Sequence, residues 1–174
     1  MRAGCNILPP KTETHRTRIT AGGNLIDYPG EVSTPTSDLT TMKIHINSSV
    51  LDVKSRYMCM DVNDFYLNNQ MDRDKYIMIQ ISMIPQEFAE KYNFVEKSHN
   101  GYIYARITKG MYGLPQAVRI AHDALLKHLE PYGYHPSSKK PGLWKHNSLP
   151  INFTLVVDDF GVKYSGKEHA FHLK

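Results

Sequence analysis

The stretch Ile151-Asn152-Phe153-Thr154-Leu155-Val156-Val157-Asp158-Asp159-Phe160-Gly161-Val162-Lys163-Tyr164 carries two alternating runs on either side of a pair of carboxylates. Ile151, Phe153, Leu155 and Val157 alternate with Asn152, Thr154 and Val156, and Phe160, Val162 and Tyr164 alternate with Gly161, Lys163 and Ser165. Each run therefore reads as a strand with one apolar face. A strand–turn–strand unit then sets Asp158 and Asp159 where the hairpin reverses. Asp is among the commonest turn formers, and most such pairs bind nothing. Two carboxylates at a tip are nonetheless poorly suited to a core and well suited to a divalent cation.

Two further segments bear on that choice. Arg56-Tyr57-Met58-Cys59-Met60 leads into Asp61-Val62-Asn63-Asp64-Phe65-Tyr66-Leu67, so a strand again ends in a carboxylate, followed by a turn-prone Asn-Asp and two aromatics. Between the two lies Lys109-Gly110-Met111-Tyr112-Gly113-Leu114-Pro115-Gln116-Ala117, where glycines mark a loop and Pro115 stands where a helix begins.

The order Asp-Val-x-x-Phe-Tyr from Asp61, Gly-Leu-Pro-Gln-Ala from Gly113 and Val-Asp-Asp from Val157 resembles the palm motifs of reverse transcriptases, most closely those of copia-type retrotransposons. Each motif alone is weak; the three in this order at this spacing are more specific. The resemblance covers residues 16–174. It implies an α+β fold with reverse-transcriptase-like fingers and palm, the palm a ferredoxin-like antiparallel sheet with helices on one face. Residues 1–12 are then a tail or truncated end. Residues 13–56 and 71–113 form the fingers-like region and 57–70 and 114–174 the palm-like region of one continuous domain.

Composition agrees without requiring this reading. The 174 residues are one domain by length, enough to bury about 70% of the unfolded surface. A formal charge of +4 and a pI of about 9.0 suit an acidic partner such as nucleic acid but do not establish one. Cys5 and Cys59 are too few for a disulfide framework or a zinc site, which points to a reducing compartment. No run approaches the roughly 18 apolar residues of a membrane span. The start Met1-Arg2-Ala3-Gly4-Cys5-Asn6 lacks a signal-peptide core. The expectation is a soluble, intracellular, cytoplasmic chain with no membrane partner.

Along the rest of the chain, residues 14–20 alternate and, with the turn Ala21-Gly22-Gly23-Asn24, predict a hairpin with residues 25–28. Ser37 is a cap for a helix over 38–50 with Leu39, Met42, Ile46 and Val50 as its apolar stripe. Strands are predicted over 76–81 and 102–107, a short helix over 85–92, and a helix over 115–130 that Pro131 and Gly133 stop. The end, 167–174, reads as a helix cut short.

Phosphoryl transfer to a primer needs the 3′-hydroxyl made nucleophilic and the pyrophosphate charge neutralised, which two cations about 3.5–4 Å apart do together. Magnesium takes carboxylate oxygens and phosphates rather than histidine or thiolate. By resemblance, Asp61 and Asp158 are the principal bridging ligands of two Mg²⁺, with Mn²⁺ an alternative, Asp159 is more peripheral, and the Val62 carbonyl completes one shell. Tyr66 is the aromatic beneath the sugar of the incoming deoxynucleoside triphosphate, where its ring excludes a 2′-hydroxyl. Gln116 contacts the same nucleotide, and Asp64 lies near the triphosphate through its backbone. Arg16 and Arg18, in a segment where Arg2, Lys11, Arg16 and Arg18 outnumber Glu13, are the basic pair for the triphosphate; the sequence does not choose between them.

The implied activity is RNA-directed DNA polymerisation by part of a retrotransposon Pol polyprotein, on an RNA or DNA template with a primer, alongside a thumb and ribonuclease H where these are present. Two departures weigh on it. Val156 stands where the family carries an aromatic, and the sequence ends at Lys174, before the primer-gripping hairpin and thumb. The alternatives are a truncated, inactive element remnant and a basic nucleic-acid-binding module in which the aspartates are structural. His169 with His172, and His122 with His128, match no zinc pattern. Met58, Met60, Met78 and Met111 read as packing.

Overall fold

A computed structural model gives the backbone of residues 2–7 and 15–173 and the side chains of residues 19–173. In chain order its elements are β1 (Arg2–Ile7), β2 (His15–Thr20), α1 (Leu39–Val50), β3 (Ser55–Asp61), β4 (Gln70–Gln80), α2 (Gln86–Lys91) and α3 (Phe94–Lys97). Then follow β5 (Tyr102–Lys109), α4 (Ala117–Leu129), β6 (Tyr134–Pro136), β7 (Leu143–His146), β8 (Ile151–Val156) and β9 (Asp159–Ser165). The architecture is α+β with antiparallel sheets. Among the described residues no helix is long and apolar enough to cross a membrane. Two compact units emerge, Met1–Glu31 with Tyr66–Ile120 and Val32–Phe65 with Ala121–Lys174. Residues 32–56, grouped by sequence with the fingers-like region, pack in the second unit.

In the first unit β1 pairs with β2 from Arg2↔Thr20 to Ile7↔His15. Residues 2–7, read as part of a tail or truncated end, form a strand, and one expectation is corrected, because β2 pairs with them rather than with 25–28. The latter pairing is replaced by a 3-10 turn over Gly23–Leu25. There the chain is drawn to the glycine loop, since the Ala21 N–H donates to the Tyr112 carbonyl at 2.7 Å. Gly113, at φ +88°, lies so close that a Cβ would strike the Ala21 carbonyl. β4 and β5 form a second ribbon with a register shift between Gln70 and Lys75. Pro85 stands at the start of α2, as its fixed φ favours.

The second unit is built on a five-stranded sheet in the order β3-β9-β8-β7-β6. Cross-strand partners share a face, so Met58, Val162, Phe153 and Trp144 line one side and Tyr57, Lys163, Asn152 and Lys145 the other. The first side is the core. Trp144, Phe153, Leu155, Phe160 and Val162 are buried there with Leu129 of α4, and Leu125 and Leu126 pack against them. Trp144 stacks on Phe153 with ring centroids 5.5 Å apart.

α1 covers the opposite side. His45 Nε2 lies 2.7 Å from Asn152 Oδ1, and the Lys163 ammonium donates to the Ser48 carbonyl at 2.9 Å. The sheet thus carries helices on both faces, not on one. α1 also departs from its predicted stripe. Its buried residues are His45 and Ser49, while Leu39, Ile46 and Val50 are exposed. Its cap is Asp38, whose carboxylate accepts from the Thr41 N–H at 2.6 Å, rather than Ser37. The end of the chain forms a single 3-10 turn over Lys167–His169 in place of a longer helix.

Candidate functional site

β3 and β9 run antiparallel in a register that sets Asp61 directly across from Asp159. One residue further on, the Val62 N–H donates to the Asp158 carbonyl at 3.1 Å. Hydrogen-bonded and non-hydrogen-bonded pairs alternate along such a ladder, so Asp61 and Asp159 are a non-hydrogen-bonded pair, whose Cα atoms approach to about 4.5 Å with side chains on one face. Asp61, Asp158, Asp159 and the Val62 backbone therefore gather at one end of the sheet. Asp61 and Asp159 are exposed and Asp158 is half-buried.

The reversal itself differs from the expected Asp-Asp tip. Val156 pairs with Asp159, so the two turn residues are Val157 and Asp158, and Asp159 belongs to the ladder. Val157 takes φ +61°. Positive φ at the first turn residue alone is the signature of a type II′ hairpin, which ordinarily puts glycine there. In a β-branched residue it is a backbone outlier costing of order 1–3 kcal/mol, and such strain clusters at functional sites.

Among the described residues no Lys, Arg or His side chain pairs with Asp61 or Asp159. Like charges directly opposite across a ladder destabilise it. Two exposed carboxylates thus stand on one face, with Asp158 on the adjoining turn. The same described residues hold no group of three or more His, Cys, Asp or Glu already drawn together for a metal. On the α4 side of this end, Met60, Val62, Leu125, Leu129, Phe160 and Leu173 line an apolar cavity of about 610 Å³ that Asp61 also borders.

The other sequence-predicted residues fall as follows. Asp64 sits exposed on the turn after β3 at φ +53°. Tyr66 and Gln116 belong to the first unit. Tyr66 is half-buried, its ring edge-on to Tyr112 with centroids 5.0 Å apart, and its carbonyl accepts from the Asn69 N–H at 3.2 Å. Gln116 is 1% exposed, and among the described residues neither its amide oxygen nor its nitrogen has a partner. Arg16 and Arg18 lie in β2, but their side chains are outside the described residues.

A polar cluster that sequence reasoning missed lies on the Asp61 side of the sheet, under α1. Burial pushes the His45 imidazole below its ordinary value, the hydrogen bond to Asn152 opposes that shift, and the Lys163 charge adds to it. The only signal for it in the sequence is the alternation that puts Asn152 and Lys163 on the face opposite the core. Comparison with protein-family models, with curated proteins and with solved structures gives no match to this chain.

Proposed function

We propose that this chain is the fingers-and-palm part of a copia-type reverse transcriptase, an RNA-directed DNA polymerase segment of a retrotransposon Pol polyprotein. The observation that carries this reading is the Asp61–Asp159 cross-strand pair, which has no countercharge among the described residues and lies beside the strained Val157-Asp158 turn. In this reading Asp61, Asp158 and Asp159, with the Val62 carbonyl, hold two Mg²⁺ or Mn²⁺ ions. When bound, such ions neutralise charge on the attacking and leaving oxygens of the primer and the incoming triphosphate. Tyr66 supports the deoxynucleotide sugar. Gln116 meets the nucleotide through an amide that has no partner among the described residues, and a buried unpaired amide costs about 1–3 kcal/mol that a polar ligand group removes. Arg16, Arg18 and the Asp64 backbone serve the triphosphate.

The test has two readouts on the full chain. Mn²⁺ titration followed by electron paramagnetic resonance should show saturable binding that Asp61→Asn and Asp159→Asn each weaken. Extension of a labelled primer on an RNA template with Mg²⁺ and deoxynucleotides should fall at least about a hundredfold in Asp61→Asn, since cation charge stabilisation is worth several kcal/mol. Mn²⁺ binding indifferent to both substitutions would overturn the assignment.

A further inference from the structure

On the sheet face that carries Asp61 and Asp159, α1 and the strands enclose a separate cavity of about 320 Å³, near the lower end for small-molecule sites. Lys163 follows Asp159 by four residues on β9, so the cavity lies about 13 Å along the strand from the acidic pair. Its lining combines two chemistries: the apolar Ile44 and Leu143, and the cationic Lys140, Lys145 and Lys163.

The lysines differ in what they have to spare. Lys163 is committed, since its ammonium meets the Ser48 carbonyl at 2.9 Å, the Ser48 hydroxyl at 3.3 Å and Asp52 at 3.8 Å. Lys140 and Lys145 are exposed, and among the described residues neither has a hydrogen bond or ion pair. The opposing charges are Asp38, whose carboxylate is held low first by the Thr41 N–H and only weakly by Lys140, and Asp52, turned to Lys163. Two of the lysines that line the cavity thus have no hydrogen-bond or ion-pair partner among the described residues. His45 lines the wall, and its Nδ1 is buried with no partner among the described residues. With Nε2–H directed to Asn152 Oδ1, that Nδ1 is an acceptor suited to a hydroxyl.

We infer that this cavity binds a small phosphomonoester with an apolar body, of mononucleotide size, its phosphate between Lys140 and Lys145 and its body against Ile44 and Leu143. Ammonium groups on flexible stems suit a phosphate as point charges with three donors each. The site does not rest on the acidic pair.

Isothermal titration of the full chain with adenosine monophosphate should show saturable one-to-one binding, weakened at least about tenfold in Lys140→Gln/Lys145→Gln, because charge-assisted hydrogen bonds to the phosphate are removed. Both lysines are exposed, so the thermal midpoint of the free double variant should stay unchanged. Asp159→Asn should leave this affinity as it is, which separates the result from that of the Mn²⁺ titration. Inorganic phosphate should bind more weakly than the nucleotide, and adenosine more weakly still. Absence of saturation, equal binding by adenosine, or an unaltered double variant would overturn the proposal. So would an oligonucleotide without terminal phosphates that competes as well as the nucleotide, which would assign the lysines to a polynucleotide backbone.

Discussion

Ser55 and Ser165 face each other across the far end of the ladder that carries Asp61 and Asp159 at its near end, their hydroxyl oxygens 3.2 Å apart. The Ser55 hydroxyl also donates to Asp52 at 2.6 Å. A slip of one residue would turn every side chain of β3 to the other face and bring Met60 or Val62 to the place of Asp61. Midway along β9, Gly161 keeps the register tight, because a Cβ there would strike the Tyr57 hydroxyl and stand 2.8 Å from Thr154 Oγ1. Gly161→Ala should therefore destabilise the fold by about 1–3 kcal/mol, the range for overpacking. Urea unfolding measures it, and a change under about 0.5 kcal/mol would mean that Tyr57 swings clear.

The acidic pair predicts a stabilising substitution. Asp159→Asn removes a like charge from directly opposite Asp61 and should raise stability in chelator by about 0.2–1 kcal/mol. Millimolar Mn²⁺ should reverse the order of wild type and variant, since a ligand bound only by the native state stabilises it. A variant less stable than wild type in chelator would show that the carboxylates do not repel.

Val157 supplies a second gain. Glycine at φ +61° removes strain of order 1–3 kcal/mol, against roughly 0.5–1 kcal/mol of added chain entropy. Val157→Gly should raise the unfolding midpoint, and if the strain serves positioning it should lower Mn²⁺ affinity at the same time. Calorimetry with and without Mn²⁺ measures both.

His45 sets a pH dependence. Its folded value lies below the ordinary 6.5, chiefly through burial. The unfolded chain therefore binds the proton first, so this contribution is intact above about pH 6.5 and is lost as pH falls through the folded value. His146 is shifted the same way, by burial and then by His172, and its Nδ1 accepts from the Ser148 and Leu149 N–H groups at 3.1 and 2.9 Å, contacts that protonation breaks. Guanidinium unfolding at pH 7.5 and 5.5 should show a loss that His45→Gln reduces in part; an identical loss in the variant would place the titration elsewhere.

What the sequence disclosed followed from periodicity. β3, β8, β9 and α4 were legible because their apolar residues alternate or recur over six or more positions. β6 and β7 span three and four residues, the first ending in Pro136, too short for a period to declare itself. β1 contains Gly4 and Asn6, both poor strand formers, and its pairing with β2 is a matter of contact rather than composition. α1 misled because its packed positions, His45 and Ser49, are polar, with His45 tied to Asn152 and the Ser49 hydroxyl to the His45 carbonyl at 3.4 Å. At the hairpin the strands that carry Asp61 and Asp159 were legible. The exact reversal was not, since valine is the residue least expected in a left-handed turn position.

β9 is bracketed by β3 and β8, whereas among the described residues β3 has no neighbour on its outer side. The amides of Tyr57, Cys59 and Asp61 point outward, because those of the even-numbered residues point to β9 in step with Val62. Deuterium exchange should divide the two carboxylates: fast along the outer row of β3, and at β9 only through opening of the whole sheet. Asp159 is then the anchored member of the pair and Asp61 the compliant one, so a small swing of a border strand changes the spacing of the two carboxylates while the rest of the sheet keeps its place.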